Sequence, residues 1–440
     1  MKNKLIIAFA FLSSIAYSQQ KDSTSVSYKK RVLESIELDF LMSYYKQDGI
    51  HSAVSGGKGM EELTNLTPTF VVAIPLNDDD VLTVDAGLSA YTSASSGNIN
   101  PFDSNTPSPW QASSGASAQD VLTSLSLNYS HSSDDRNTIC NGHISGSVEY
   151  DYSSIGFGGG VSRLFNGKNS EVSVAANVYL DTWTPIYPKE LDDFSNYGLS
   201  GGIFNKFIIT PGQISSEIYN PVNYKAHSII NRNSYALSLG FSQVVTKKIQ
   251  GSFFLDILYQ NGLLSTPYQR VYFADKGNFF INEFQLADDI ERLPNSRFKL
   301  PIGTRWNFYI NEKFTLRTYY RYYFDNWAIS SHTVNFELPY KLSEKFTVIP
   351  MYRFYSQEAS KYFAPYETHL STEKYYTSDY DLSTFNAHQY GLGVSYTDIF
   401  ANANIWKFGL KNIDFRFNHY DRNDGLNANI VTLGLKFVQQ

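Results

Sequence analysis

The chain has 440 residues, a net charge of −6 from 36 basic and 42 acidic side chains, and 16% aromatic residues, with 33 Tyr and 31 Phe. A 42% hydrophobic fraction and a mean hydropathy of −0.29 argue against a bundle of transmembrane helices, and the lack of a basic stripe or tail argues against nucleic acid as a partner. One cysteine, Cys140, excludes an intramolecular disulfide and reads as a packed or exposed bystander.

Lys2 and Lys4 precede "LIIAFAFLSSIA", and small residues then lead into the polar "QQKDSTS". A basic start, a short apolar core and a small-residue exit predict a signal peptide over residues 1–18, cleaved after Ser18. Residues 19–33 are expected to be an N-terminal periplasmic segment. No later stretch approaches the ~18 consecutive apolar residues of a membrane helix. An exported chain of this kind can enter a membrane only as a closed barrel, the one β-structure that satisfies every backbone group in lipid.

Period-two alternation supports that reading over residues 34–440. Leu82, Val84, Ala86 and Leu88 alternate with Thr83, Asp85, Gly87 and Ser89, and Val172, Val174, Ala176, Val178 and Leu180 alternate with Glu171, Ser173, Asn177 and Asp181. The pattern predicts an all-β transmembrane antiparallel barrel of about sixteen strands. The predicted strands are 34–45, 67–76, 80–92, 119–131, 141–152, 154–165, 170–183 and 229–246, then 249–261, 296–310, 314–326, 331–341, 345–356, 386–399, 410–421 and 427–438. Short connectors carry turn residues: "NDDD" at 77–80, "SDDRN" at 133–137, "NGKN" at 166–169, "TKK" at 246–248, "NEK" at 311–313 and "LSEK" at 342–345. Long ones fall between them, at about 46–66, 93–117, 183–228, 261–296 and 357–385. Tight periplasmic turns in phase with long extracellular loops are the stringing of an outer-membrane barrel.

The stretch "FTLRTYYRYYFDN", residues 314–326, shows which way the charges go. Phe314, Leu316, Thr318, Tyr320, Tyr322 and Phe324 share one face, and Arg317, Tyr319, Arg321, Tyr323 and Asp325 share the other. A charge facing lipid at mid-bilayer costs about 2–4 kcal/mol, so the arginines are expected in the lumen. The same parity puts the acids Glu37, Asp39, Asp85, Glu149, Asp151, Glu171, Asp181 and Asp256 inside the first nine strands. The later strands place Arg297, Lys299, Arg305, Arg317, Arg321, Arg353 and Arg416 inside, with Glu337 and Asp414 as exceptions. Two readings follow, a transverse field across a water-filled pore or ion pairs that hold the wall.

Conventional active-site signals are weak. His51 and Ser52 are adjacent, and adjacent strand residues point apart, so they do not make a nucleophile and base. Gly56, Gly57 and Gly59 lack the Gly-Lys-Ser/Thr ending of a phosphate loop and read as a compact loop with unusual backbone angles. The acidic turns read as solvated hairpins rather than Ca²⁺ sites, and the eight histidines show no metal-ligand spacing. No catalytic, cofactor-binding or metal residue is nominated, and an enzyme is not expected.

Two stretches, "DGIHSAVSGGKGMEELTNLTP" and "AYTSASSGNINPFDSNTPSPW", carry a resemblance through Gly56, Gly57, Gly59, Glu61, Tyr91, Thr92, Ser93, Ser95, Ser96, Asn100, Pro101 and Phe102. With the barrel rhythm they resemble the outer-membrane family catalogued as domain of unknown function 3570. The resemblance covers the mature chain and implies a secreted barrel without a settled activity, of a family whose members tend to be encoded near periplasmic flavin-attachment enzymes and small lipoproteins. The chain is therefore expected in the cell outer membrane after export through a Sec signal, in contact with outer-membrane lipid. Its expected function is a channel or solute-uptake pore with a charge-divided lumen, or else a non-conducting scaffold that docks or sheathes an envelope lipoprotein or redox protein. The two motif loops are expected to fold inward as a plug or narrowing of the lumen.

Overall fold

The computed structural model describes residues 31–95, 120–212, 218–221, 223–398 and 403–440. The predicted signal peptide and most of the segment after it lie outside the described residues, as do Ser96, Asn100, Pro101 and Phe102 of the second motif.

Sixteen long antiparallel strands form the wall. They are β1 (Glu37–Asp48), β2 (Glu61–Pro75), β3 (Asp80–Ser95), β4 (Asp120–Ser132), β5 (Thr138–Val148), β6 (Tyr152–Phe165), β7 (Ser170–Trp183) and β8 (Asn231–Thr246). The second half comprises β9 (Ile249–Gly262), β10 (Ser296–Tyr309), β11 (Thr315–Asp325), β12 (Ser330–Glu337), β13 (Phe346–Gln357), β14 (Phe385–Thr397), β15 (Phe408–Arg422) and β16 (Asn427–Gln439). Each pairs with its chain neighbours, and β1 pairs with β16, Phe40 standing opposite Leu435. The circle is closed, and no edge is left to pair with another chain.

The outward face is apolar because the alternation demands it. Leu88, Leu392 and Phe417 are among the large side chains left about half exposed in the isolated chain. Glu37 lies opposite Val438, so the start of β1 and the end of β16 share one rim. The opposite rim carries the long connections 49–60, 184–230, 263–295 and 358–384.

Several predicted boundaries are corrected. β2 begins at Glu61 rather than 67, so the first motif loop shrinks to 49–60 and Glu61 belongs to the wall. β5 ends at Val148, which leaves Glu149 and Asp151 in a three-residue link. β12 stops at Glu337, because Pro339 has no N–H to give a ladder, and a two-residue strand at Tyr340–Lys341 continues the pairing.

The long loops are not irregular. Residues 184–230 contain an α-helix, α1 (Lys189–Tyr197), and Ile209–Pro211 pairs with Phe279–Ile281 of the next long loop. Tyr376 bridges to Arg292 from the fourth. The buried apolar core of the molecule is here rather than in the wall: Ile203, Phe204, Tyr219, Phe279, Ile281 and Leu286 form one cluster, and Leu191, Tyr224, Tyr272, Ala287 and Ile290 another. The inner face of the wall carries mainly polar and charged side chains, so the loops build their own core and make a folded cap at one rim.

Candidate functional site

Strand register sets three rows of side chains across β10 to β13. Arg305, Tyr319, Asn335 and Arg353 stand directly opposite one another in the middle row. Gly303, Arg321, Thr333 and Tyr355 form the row nearer the cap, and Asn307, Arg317, Glu337 and Met351 the row nearer the turns. That this face is the concave one follows from Glu337. Its carboxylate lies 3.6 Å from Arg317 Nη1 and 3.6 Å from Arg416 Nη1. Arg416 is on β15, and β13 and β14 intervene, a separation of about 14 Å along the wall at ~4.8 Å per strand. Only side chains converging on the inside of the curve can meet over that distance.

A cavity of about 790 Å³ opens on these rows, lined by Arg305, Arg317, Arg321, Arg353, Tyr319 and Asn335 with Thr333 and Glu337. Glu337 engages Arg317 and Arg416, whereas Arg305, Arg321 and Arg353 have no carboxylate at ion-pair distance among the described residues. The Arg305 guanidinium sits 5.8 Å from the Tyr319 ring centre, and Phe254 of β9 stacks on Tyr319 with ring centres 5.7 Å apart at 16°. Gly303 makes that stack possible, since a Cβ there would fall 2.2 Å from the Phe254 ring. Arg321 Nε, Thr333 Oγ1 and Asn335 Oδ1 are buried without a hydrogen-bond partner among the described residues.

The other predicted basic residues are held differently. Arg297 donates through Nε to Asp325 at 2.8 Å and lies over the Trp327 ring at 4.3 Å. The other oxygen of Asp325 accepts from the backbone N–H groups of Trp327 and Ile329, so Arg297 belongs to the framework of the β11–β12 turn. Lys299 stands opposite Asp325 in the register.

The predicted acids fall into three groups. Glu37 takes Lys436 at 2.6 Å and Lys411 at 3.3 Å, and Asp39 lies 3.7 Å from Lys436. Parity alone would have found Lys436, which alternates with Leu435 and Phe437. Lys411 is reachable only because a bulge between Leu410 and Asn412 inserts it as an unpaired residue. Asp151 accepts from Trp183 Nε1 at 3.0 Å, and Asp181 accepts from Ser154 at 2.6 Å. These two and Glu149 line a second cavity of about 370 Å³ with Tyr91, Arg232 and Tyr268 under the cap. Asp85, Glu171 and Asp256 occupy positions opposite Ser126, Ser242 and Ser238 respectively.

The sequence model of the family described as "Protein of unknown function (DUF3570)" matches residues 4–434. The chain belongs to this family. No curated protein sequence matches it. Among solved structures, a bacterial polysaccharide outer membrane secretin aligns at 11% identity and a TM-score of 0.44, covering 92% of this chain and 99% of its own. OccK9 (OpdG) of Pseudomonas aeruginosa aligns at 10% and 0.39, covering 92% and 98%. A BenF-like porin from Pseudomonas fluorescens Pf-5 aligns at 8% and 0.38, covering 92% and 98%.

In this DUF3570 barrel the first motif loop is part of the cap. Gly56 and Gly57 have φ of +73° and +85°, and a Cβ on them would collide with the Tyr272 ring and the Ser378 carbonyl respectively. His51 donates through Nδ1–H to Gly57 O at 3.0 Å and stacks 3.6 Å from the Tyr380 ring, so it makes no pair with Ser52. Lys58 donates to Gln285 at 2.9 Å, and Arg270 donates to the Val54 carbonyl at 3.2 Å. Thr92, Ser93 and Ser95 end β3, just before the stretch that is not described. No group of three or more His, Cys, Asp or Glu side chains suited to a metal ion occurs among the described residues.

Burial tunes the cap carboxyls. Glu291, which accepts from Thr266 N at 2.7 Å and from the Thr377 hydroxyl at 2.5 Å, is pushed up to about 8, with Asp379 adding to the shift. Burial also raises Asp288 to about 7, and lowers His227 to about 4, Arg292 assisting.

Proposed function

We propose that the protein is an integral outer-membrane barrel that passes small solutes through a lumen with a basic wall on β10 to β15 and acids elsewhere around the interior. The observation that carries this reading is the trio Arg305, Arg321 and Arg353, which face a cavity without carboxylate partners among the described residues. Guanidiniums that only braced a wall would be paired, as Arg297 is with Asp325. Unpaired charges are tolerable where water or a passing ion can solvate them. The apolar outer face would meet lipid, the cap would face outward, and the short turns would face the periplasm. No step of this function needs bond chemistry, and the reading is not enzymatic.

Single-channel recording in a planar bilayer tests it. Steady conductance that favours anions, and that turns towards cations in Arg317→Glu with Arg321→Glu, is the expected result. A correctly folded but silent barrel would overturn it.

The second reading is a non-conducting scaffold for an envelope lipoprotein or redox protein. It draws on the cap surface, where Tyr197, Ile208 and Ile218 are largely exposed and Leu199 and Ile218 border a cavity of about 720 Å³. Co-purification of a specific envelope protein with a silent barrel would favour it.

A further inference from the structure

We propose that Arg305, Arg321 and Arg353 form a binding site for a small hydroxylated organic anion, of the sugar-acid or sugar-phosphate class. This deepens the pore reading and depends on it only for how the solute arrives.

Three independent features select that chemistry. The first is the arrangement of the guanidiniums. Arg305 and Arg353 lie in one row with Tyr319 and Asn335 between them, and Arg321 lies one row nearer the cap on β11. An oxyanion placed over Tyr319 and Asn335 is therefore within reach of donors on three sides, and planar guanidinium forks match carboxylate and phosphate oxygens.

The second is the pair of polar atoms left over. Thr333 is 6% exposed, and its Oγ1 and the Asn335 Oδ1 are buried with no partner among the described residues. A buried amide oxygen needs a donor, and chloride or a fully ionised carboxylate alone has none to give. A ligand that carries hydroxyls beside its anionic group satisfies both.

The third is the aromatic floor. Tyr319 lines the cavity beside Arg305 and is held in place by the stack with Phe254, and the apolar surface of its ring suits the C–H face of a pyranose ring. The cavity of about 790 Å³ holds such a ligand together with water.

The purified barrel in detergent is titrated calorimetrically with galacturonate, galactose 6-phosphate, galactose and chloride. Binding of either charged sugar with no response to galactose or chloride is expected, and the tighter of the two identifies the anionic group. Arg353→Gln should weaken that binding tenfold or more. Arg353→Lys, which keeps the charge and loses the fork, should weaken it almost as much, whereas a diffuse field would leave it unchanged. Thr333→Val should weaken the charged sugars and leave any chloride response alone. The heat-modifiable gel shift of a folded barrel is the control for every variant. Absent binding, equal binding of chloride, or variants that bind like the parent would overturn the proposal. The same preparation in a planar bilayer separates the two readings. A conducting barrel that ignores galacturonate removes the site and keeps the pore. A silent barrel that binds galacturonate removes the pore and keeps the site.

Discussion

Arg270 donates through Nε to Glu190 at 2.6 Å, and both side chains are sealed from solvent. Glu190 sits in the first turn of α1, and Arg270 comes from the next long loop, so this contact ties two loops whose residues are 80 positions apart. Taking two charges out of water is costly, and their mutual attraction offsets that cost only while both are present.

Glu190→Gln should therefore destabilise the cap by about 3–5 kcal/mol, the usual cost of stranding one buried charge. The wall has its own ladder of hydrogen bonds and should survive. Limited proteolysis is the measurement, with cuts expected in 184–230 and 263–295 while the heat-modifiable gel shift is retained. A variant that resists protease like the parent would show that the pair is not what ties the loops.

The cap should loosen as pH rises. Glu291 and Asp288 have folded-state values raised to about 8 and about 7, so the folded cap holds protons that the unfolded loops release. The stability these groups contribute is fully present below the ordinary carboxylate range near 4 and is lost progressively as pH climbs to about 8. Amide hydrogen exchange of residues 263–295, corrected for the intrinsic pH dependence of exchange, should speed up between pH 5 and about 8. Glu291→Gln, which cannot ionise, should flatten most of that slope.

Gly57→Ala should free the first motif loop. Its φ of +85° disfavours any side chain, and a Cβ would lie 2.6 Å from the Ser378 carbonyl, a backbone atom that cannot turn aside. A cost of about 1–3 kcal/mol follows from forcing a residue with a Cβ into such a conformation. Loss of the His51–Tyr380 stack, read by hydrogen exchange at residues 49–60, is the expected sign.

Leu392→Arg tests the lipid face. Leu392 lies near the middle of β14 and is 52% exposed in the isolated chain. An arginine there should cost about 2–4 kcal/mol in urea unfolding from lipid vesicles, the price of a charge near the bilayer midplane. A near-zero effect would mean that this face does not meet hydrocarbon.

Alternation in the sequence determined the wall. Arg317 and Arg321 fall on the face away from Leu316 and Tyr320, because a strand's period is two and lipid and water demand opposite residues at each step. Local turn chemistry such as "NGKN" punctuated the strands for the same reason. What only the tertiary structure decided is everything that depends on contacts between distant segments. The sequence of the cap has the composition of loops, yet Ile281, Leu286 and Tyr219 form a core because three short strands and a helix from separate loops meet there. Lys411 faces Glu37 through a bulge that no periodicity announces. The division of Arg305, Arg321 and Arg353 from the paired Arg297 and Arg317 likewise rests on strand register and curvature. Periodicity is a property of neighbours along the chain, whereas ion pairing and loop packing are set by which neighbours the closed barrel brings together.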